Sequence, residues 1–277
     1  MKAGFLFALF LALLPSLTTN AAQEEKSEAL EIFDAAVAKF ESDRAELRRW
    51  QYQQTLTTHQ SDGAGTVVAR GTWRSIVRPG DPKPLEYLSE KREGKLSFFK
   101  AGAEEEPVPG AKTSSTPQPK PRPAHEEKNQ TESVAEAVRK YRLRDRYLWT
   151  QLPNENVAGE GAYVLSFAPK PKQNVKSREE RFFGLLAGKV WVSRHDFTIL
   201  KMTGALQSPS QLFWVIARVT TFQFTYELEP ARGNRLLRRS RATAKTVVTF
   251  PFHAVRQRHW LTVDKYEPRT PRGRAGR

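Results

Sequence analysis

Trp50-Gln-Tyr-Gln-Gln-Thr-Leu-Thr-Thr-His-Gln-Ser61, Asp62-Gly-Ala-Gly65 and Thr66-Val-Val-Ala-Arg-Gly-Thr-Trp-Arg-Ser-Ile-Val77 form the stretch on which the fold turns. Trp50, Tyr52, Gln54, Leu56 and Thr58 alternate with Gln51, Gln53, Thr55 and Thr57, a period of two that puts successive side chains on opposite faces of a strand. Ser61 to Gly65 is rich in turn formers, and Thr66 to Val77 returns with Val67, Ala69, Gly71, Trp73 and Val77 on one face. Two alternating runs joined by so short a connection predict an antiparallel hairpin, the start of a meander.

The same grammar extends in both directions. Arg78-Pro79-Gly80-Asp81-Pro82 punctuates the chain, and strands are expected at Leu85–Glu90 and Lys95–Lys100 around Glu93-Gly94. Residues 101–130 differ in kind. Pro107, Pro109, Pro117, Pro119, Pro121 and Pro123 sit among charged and small residues, with too little apolar surface to offset the entropy of ordering, so the segment reads as a disordered insertion. A helix is expected from Thr131 to about Arg142, then strands at Tyr147–Trp149 and Tyr163–Ala168, with turns at Asn154-Glu155-Asn156 and Gly159-Glu160-Gly161. Ser177 and Glu180 form a capping box for a helix running to Ala187. A hairpin follows (Lys189–Ser193 and Phe197–Leu206), then one long strand over Leu212–Leu228, and two more at about Leu236–Thr249 and Ala254–Tyr266. Arg269, Arg272, Arg274 and Arg277 mark a basic disordered tail at 267–277. The sum is a mainly β (α+β) chain: a strongly curved antiparallel sheet, or half-barrel, of about ten strands with one or two covering helices.

Before Trp50 the period changes to that of a helix. Ser27 to Arg49 carries Leu30, Phe33, Val37, Phe40 and Leu47 near a 3.6-residue repeat. Further upstream, Lys2, the apolar run Gly4–Leu14, the helix-breaking Pro15-Ser16 and the small residues around Ala21 and Ala22 have the layout of a cleavable secretory signal over 1–22. The apolar run is too short to cross a bilayer, which needs about 20 such residues. Export with cleavage near Ala21 or Ala22 is the expectation, leaving a single domain over 23–266 that works in a periplasm or in the medium. The chain has no cysteine, so its core must hold without disulfides.

The net charge is +15, and Lys2 alone among the charged residues would leave with the signal. In an exported protein such an excess points to phospholipid head groups or acidic polymers rather than nucleic acid, although Arg spread over solvent-facing strand positions also serves solubility. Arg235, Arg238, Arg239 and Arg241 are the candidates for an anionic membrane face. His59, His125, His195, His253 and His259 show no metal-ligand spacing. No nucleophile elbow or phosphate loop is present either, so the sequence offers no catalytic, metal or cofactor site and reads as a non-enzyme.

What remains is a heavy aromatic load on strands. Much of it must be core, and the rest faces any cavity that the curved sheet leaves open. Trp73, Phe98, Trp191, Trp214, Phe222 and Phe224 are the candidate apolar lining. Tyr163-Val-Leu-Ser-Phe-Ala-Pro-Lys170, followed by Glu180-Arg-Phe-Phe-Gly-Leu-Leu-Ala-Gly-Lys-Val-Trp-Val-Ser-Arg-His-Asp-Phe-Thr-Ile-Leu-Lys-Met202, resembles the helix-then-hairpin of outer-membrane lipoprotein-sorting proteins of the LolA/LolB type. The resemblance implies an unclosed barrel under covering helices and a carrier for an acylated ligand, a lipid or lipoprotein. The alternative is an envelope interaction or regulatory module whose core is filled.

Overall fold

The computed structural model describes residues 15–81, 84–97, 134–175, 177–213, 217–231 and 233–269. The apolar run Gly4–Leu14, the insertion at 101–130 and the tail beyond Arg269 lie outside these residues. The elements are α1 (Pro15–Leu47), β1 (Trp50–Ser61), β2 (Val67–Val77), β3 (Leu85–Glu93), α2 (Val134–Lys140), α3 (Leu143–Arg146), β4 (Tyr147–Val157), β5 (Glu160–Pro169), α4 (Arg178–Phe183), β6 (Leu186–Ser193), β7 (Ile199–Leu206), β8 (Ser210–Phe213), β9 (Ala217–Leu228), β10 (Ser240–Thr249) and β11 (Ala254–Pro268). They build one open eleven-stranded antiparallel sheet in the order β3-β2-β1-β11-β10-β9-β7-β6-β5-β4, with β8 added beside β9. The first hairpin is as expected: Leu56 faces Trp73 and Thr58 faces Gly71. The last strand returns to pair with the first, Gln54 opposite Val263 and Thr58 opposite His259, which places β3 and β4 at the two edges.

Several boundaries differ from the sequence reading, each for a local reason. Pro15 is the first described residue, and from there the chain is helical, so Ser16 lies within α1. β4 runs on to Val157 and turns at Ala158-Gly159, both at positive φ, so Asn154 to Asn156 are strand and not turn. Ser177 does cap α4, its Oγ accepting from the Glu180 amide at 3.1 Å, but the helix ends at Phe183 because Leu186 and Ala187 already pair with β7. Lys95 to Ser97 follow β3 without forming the expected second strand. Residues 210–228 make two paired strands, β8 and β9, in place of one. The basic run 235–239 precedes β10, its first three residues forming a 3-10 turn. At the C-terminus β11 reaches Pro268, and Arg269 pairs with Asp81 while donating to the backbone oxygen of Pro79. The first residues of the basic tail are therefore structured.

Registers across the sheet define two faces. One carries Trp149, Leu165, Phe167, Val190, Met202, Phe222, Phe224, Tyr226, Leu261, Leu56 and Trp73, and it is the face on which α1 lies. The other carries Trp191, Thr243, Trp260 and most of the arginines. The helix stripe buried on the inner face is Ala29, Ile32 and Ala36, with Phe33 beside it. This is one position off the expected Leu30 and Val37. Alanines at the closest approach let the helix backbone come near the sheet, so Phe33 reaches Trp149 at 4.3 Å between ring centroids. Tyr147, Trp149 and Phe167 complete that cluster, and Leu165 and Val192 at its base are wholly buried. Apolar area removed from water here stabilises the fold by about 25 cal/mol per Å2.

Candidate functional site

Beyond Ala36 the same helix borders a cavity in place of the packed cluster. The C-terminal half of α1 stands over a cavity of about 810 Å3, within the range of small-molecule and lipid sites. Its apolar lining is Phe40 and Leu47 from α1, Tyr52 from β1, Val77 and Leu85 from the β2–β3 corner, Ile199 from β7, Tyr226 and Leu228 from β9, Leu236, and Tyr266 from β11. In a flat sheet β2 and β7 would lie about 24 Å apart, five steps of about 4.8 Å. One cavity of this size touching both requires the sheet to curl around it.

Three tyrosines give the cavity its chemistry. Tyr52 and Tyr266 meet at 5.4 Å between ring centroids, and Tyr226 faces Ala242 across β10 on the same side. Burial raises the pKa of all three, that of Tyr226 to about 12, where a hydrogen bond with Ser240 and the charge of Arg238 oppose the rise. Their hydroxyls remain neutral donors at every physiological pH, on rings that are otherwise apolar. The rim is ionic: Lys39 pairs with Asp43 at 2.6 Å within α1, and Arg269 pairs with Asp81.

At the far lip two arginines clamp three turns together. Arg235 reaches Asp196 at 2.9 Å and also Glu160, while Arg238 gives Nη2 to the other Glu160 oxygen at 2.6 Å. Burial alone would raise the Glu160 carboxyl; hydrogen bonds from Arg235, Arg238 and Ser193 outweigh it and hold the pKa below the ordinary value. Asp196 is lowered further, its burial overcome by Arg235 and the Thr198 amide. The side chain of Arg238 is only 2% exposed, and its Nε and Nη1 have no hydrogen-bond partner among the described residues.

The residues singled out from sequence are distributed rather than gathered. Arg235 and Arg238 line the cavity, each tied to a carboxylate, so Arg238 is a buried clamp and not part of a surface stripe. Arg239 bridges Glu229 and Asp264, and Arg241 pairs with Glu229 at 2.7 Å. Trp73, Phe222 and Phe224 are on the inner face but outside the cavity. Trp73 is buried and lies over Gly71, Phe224 lies over Gly204, and Phe222 packs on Phe182 at 5.2 Å. Trp191 is on the opposite face, its Nε1 donating to Glu155 at 2.8 Å and its ring under the Lys201 ammonium. One residue's shift of phase separates it from Val190 and Val192, which do face inward. Phe98 and Trp214 lie outside the described residues. The sequence reading passed over Tyr52, Tyr226 and Tyr266 as lining, although each is an aromatic residue near the end of its strand. Among the described residues no cluster of His, Cys, Asp and Glu could hold a metal ion, and no helix is long and apolar enough to cross a membrane.

No family model matches the chain, and no curated protein matches it in sequence. Among solved structures, it is similar to an outer membrane lipoprotein-sorting protein domain from Vibrio parahaemolyticus, at 12% identity and a TM-score of 0.33, covering 89% of this chain and 94% of that one. It is also similar to a DUF1329 family protein from Desulfovibrio piger, at 12% identity, a TM-score of 0.31 and the same coverages. A LolA superfamily protein from Nitrosomonas europaea aligns at 11% identity and a TM-score of 0.26, over 83% of this chain and 94% of that one. These are likenesses of chain path alone. The architecture itself is read from the strand order and registers above.

Proposed function

We propose that this protein is a non-enzymatic binding or carrier protein for an acylated ligand, a lipid or the lipid part of a lipoprotein, exported to the periplasm after removal of residues 1–22. The observation that carries the reading is the cavity of about 810 Å3 between the C-terminal half of α1 and the curled sheet. Apolar side chains from one helix and six strands converge on it, three neutral tyrosine hydroxyls sit among them, and charged residues such as Lys39, Arg44, Arg48 and Arg235 stand along the lining. That combination suits a chain of methylenes with one polar end: each buried CH2 contributes about 0.8 kcal/mol, and few directional bonds are needed. The helix lies over this half of the sheet without filling it, so a ligand could enter beneath its end with little rearrangement of the packed half.

Mass spectrometry of organic extracts from the purified native protein is the direct test, together with thermal melts in the presence of added fatty acids and phospholipids. Acyl chains recovered in near-stoichiometric amount, and a midpoint that rises with added lipid, are expected. Repeated preparations that carry no lipid and show no shift would sink the carrier reading and leave an interaction module in its place.

A further inference from the structure

The outer face of the sheet, away from the cavity, carries a second feature. Lys245 on β10 lies directly opposite Arg258 on β11, Arg258 lies opposite His59 on β1, and His59 lies opposite Arg70 on β2. Four strands thus set three cations and a histidine in one row, with Arg74 and Arg218 on the same face to either side. Arg70, Arg74, Arg218, Lys245 and Arg258 are all exposed. Glu93 stands at the end of the row opposite Arg70, yet none of the five takes part in an ion pair among the described residues. Like charges directly opposite each other on one sheet face destabilise the pair. This contrasts with Arg235, Arg238, Arg239 and Arg241, each of which is matched to a carboxylate.

The β10–β11 hairpin that carries the middle of this row ends in an aromatic tip. Phe250 stacks on His253 at 4.6 Å, its amide bonded to the His253 carbonyl, and Phe252 between them is 97% exposed. A phenylalanine so exposed, in the turn between two paired strands, gains free energy only where an apolar medium meets it. We propose that this face docks on an anionic phospholipid surface, the unpaired cations resting on phosphate head groups and Phe252 entering the acyl boundary. Charge complementarity selects an anionic partner, and the exposed apolar tip selects a bilayer over a nucleic acid, whose groove offers it no hydrocarbon. The proposal is independent of whether the cavity holds a ligand.

Flotation of the full chain with phosphatidylglycerol or phosphatidylcholine vesicles tests it. Binding to phosphatidylglycerol at low salt is expected, falling off near about 1 M salt, where the Debye length is about 3 Å. The double variant Lys245→Gln/Arg258→Gln should weaken it about 25-fold, taking about fivefold for each cation near the surface. Phe252→Ser should weaken vesicle binding about tenfold while leaving retention on a heparin column unchanged. All three positions are exposed, so unchanged melting midpoints verify the fold. Each variant is compared with the parent chain, so the apolar Gly4–Leu14 run contributes equally to both. Equal binding to the two vesicle types, full binding by either variant, or a preference for duplex DNA with no effect of Phe252→Ser would each overturn the proposal. Lipid extracts that come back empty would defeat the carrier reading and leave these results standing.

Discussion

The two halves of the inner face share a sheet and a covering helix, yet one is solid and the other hollow. Beneath Ala29 to Ala36, strands β4 to β7 present Tyr147, Trp149, Leu165, Phe167 and Val190, and the helix sinks onto them. Beneath Phe40 to Arg48, strands β1, β9, β10 and β11 present Tyr52, Gln54, Tyr226, Leu228, Ser240 and Tyr266 around the cavity. The difference lies in the residues that the helix presents. Alanine on the helix meets large aromatics on the sheet in the first half. In the second, long helix side chains such as Lys39, Arg44 and Arg48 border the cavity, whose floor carries Tyr52, Tyr226 and Tyr266 along with Ser240. Buried apolar contact is concentrated in the packed half, and the cavity lies in the other.

Truncation should break the symmetry most sharply. Trp149→Ala, which removes a ring touching Phe33, Tyr147 and Phe167, is expected to cost about 3–5 kcal/mol in urea unfolding. Leu228→Ala, at the wall of the cavity, should cost under about 1.5 kcal/mol, since no new cavity is enclosed. Comparable losses at the two sites would mean that the halves are equally packed.

Overpacking sharpens the contrast in the other direction. A Cβ added at Gly188 would lie 1.9 Å from the Thr203 carbonyl oxygen and 2.8 Å from Phe167, so Gly188→Ala should destabilise by about 1–3 kcal/mol or prevent folding. Leu228→Trp, by contrast, has room, and should leave the unfolding midpoint within about 0.5 kcal/mol of the parent while abolishing lipid recovery. If Leu228→Trp retains the parent's lipid, the ligand lies elsewhere.

The smallest expected effect concerns the clamp at the lip. Glu160 and Asp196 are held below their ordinary pKa values in the fold, so the unfolded chain binds protons first as the solution is acidified. The stability they contribute is complete above the unfolded carboxylate range, near about pH 4, and is lost as pH falls through that range toward their folded values. Asp196→Asn, which leaves Arg235 and Arg238 their bonds to Glu160, should flatten the acid limb of a stability–pH curve in this window, with little change at pH 7 in the packed half's hydrogen-exchange protection. An unchanged acid limb would show that the clamp carries no proton-linked stability.

Much of the architecture was legible because period two is a short-range signal. Trp50 to Val77 declared a hairpin from alternation and turn residues alone, and the Ser177 cap was visible in the spacing to Glu180. Errors arose where a partner at a distance decides. Phe183 ends a helix that local preference would extend, because Leu186 finds Leu206. The lining was less legible still, since Trp191 and Val192 look equally suitable until the register with β5 assigns them to opposite faces.

By itself the sequence determined the strands, the covering helix, the excess of positive charge and the lack of cysteine, all of which follow from residue type and spacing. Only the tertiary structure decided which aromatics fill the core, which arginines are neutralised, and that the tyrosines of β1, β9 and β11 share one cavity. Those outcomes depend on residues hundreds of positions apart, such as Tyr52 and Tyr266, meeting through strand register. Register is a collective property of the whole sheet, and no local window of the chain contains it.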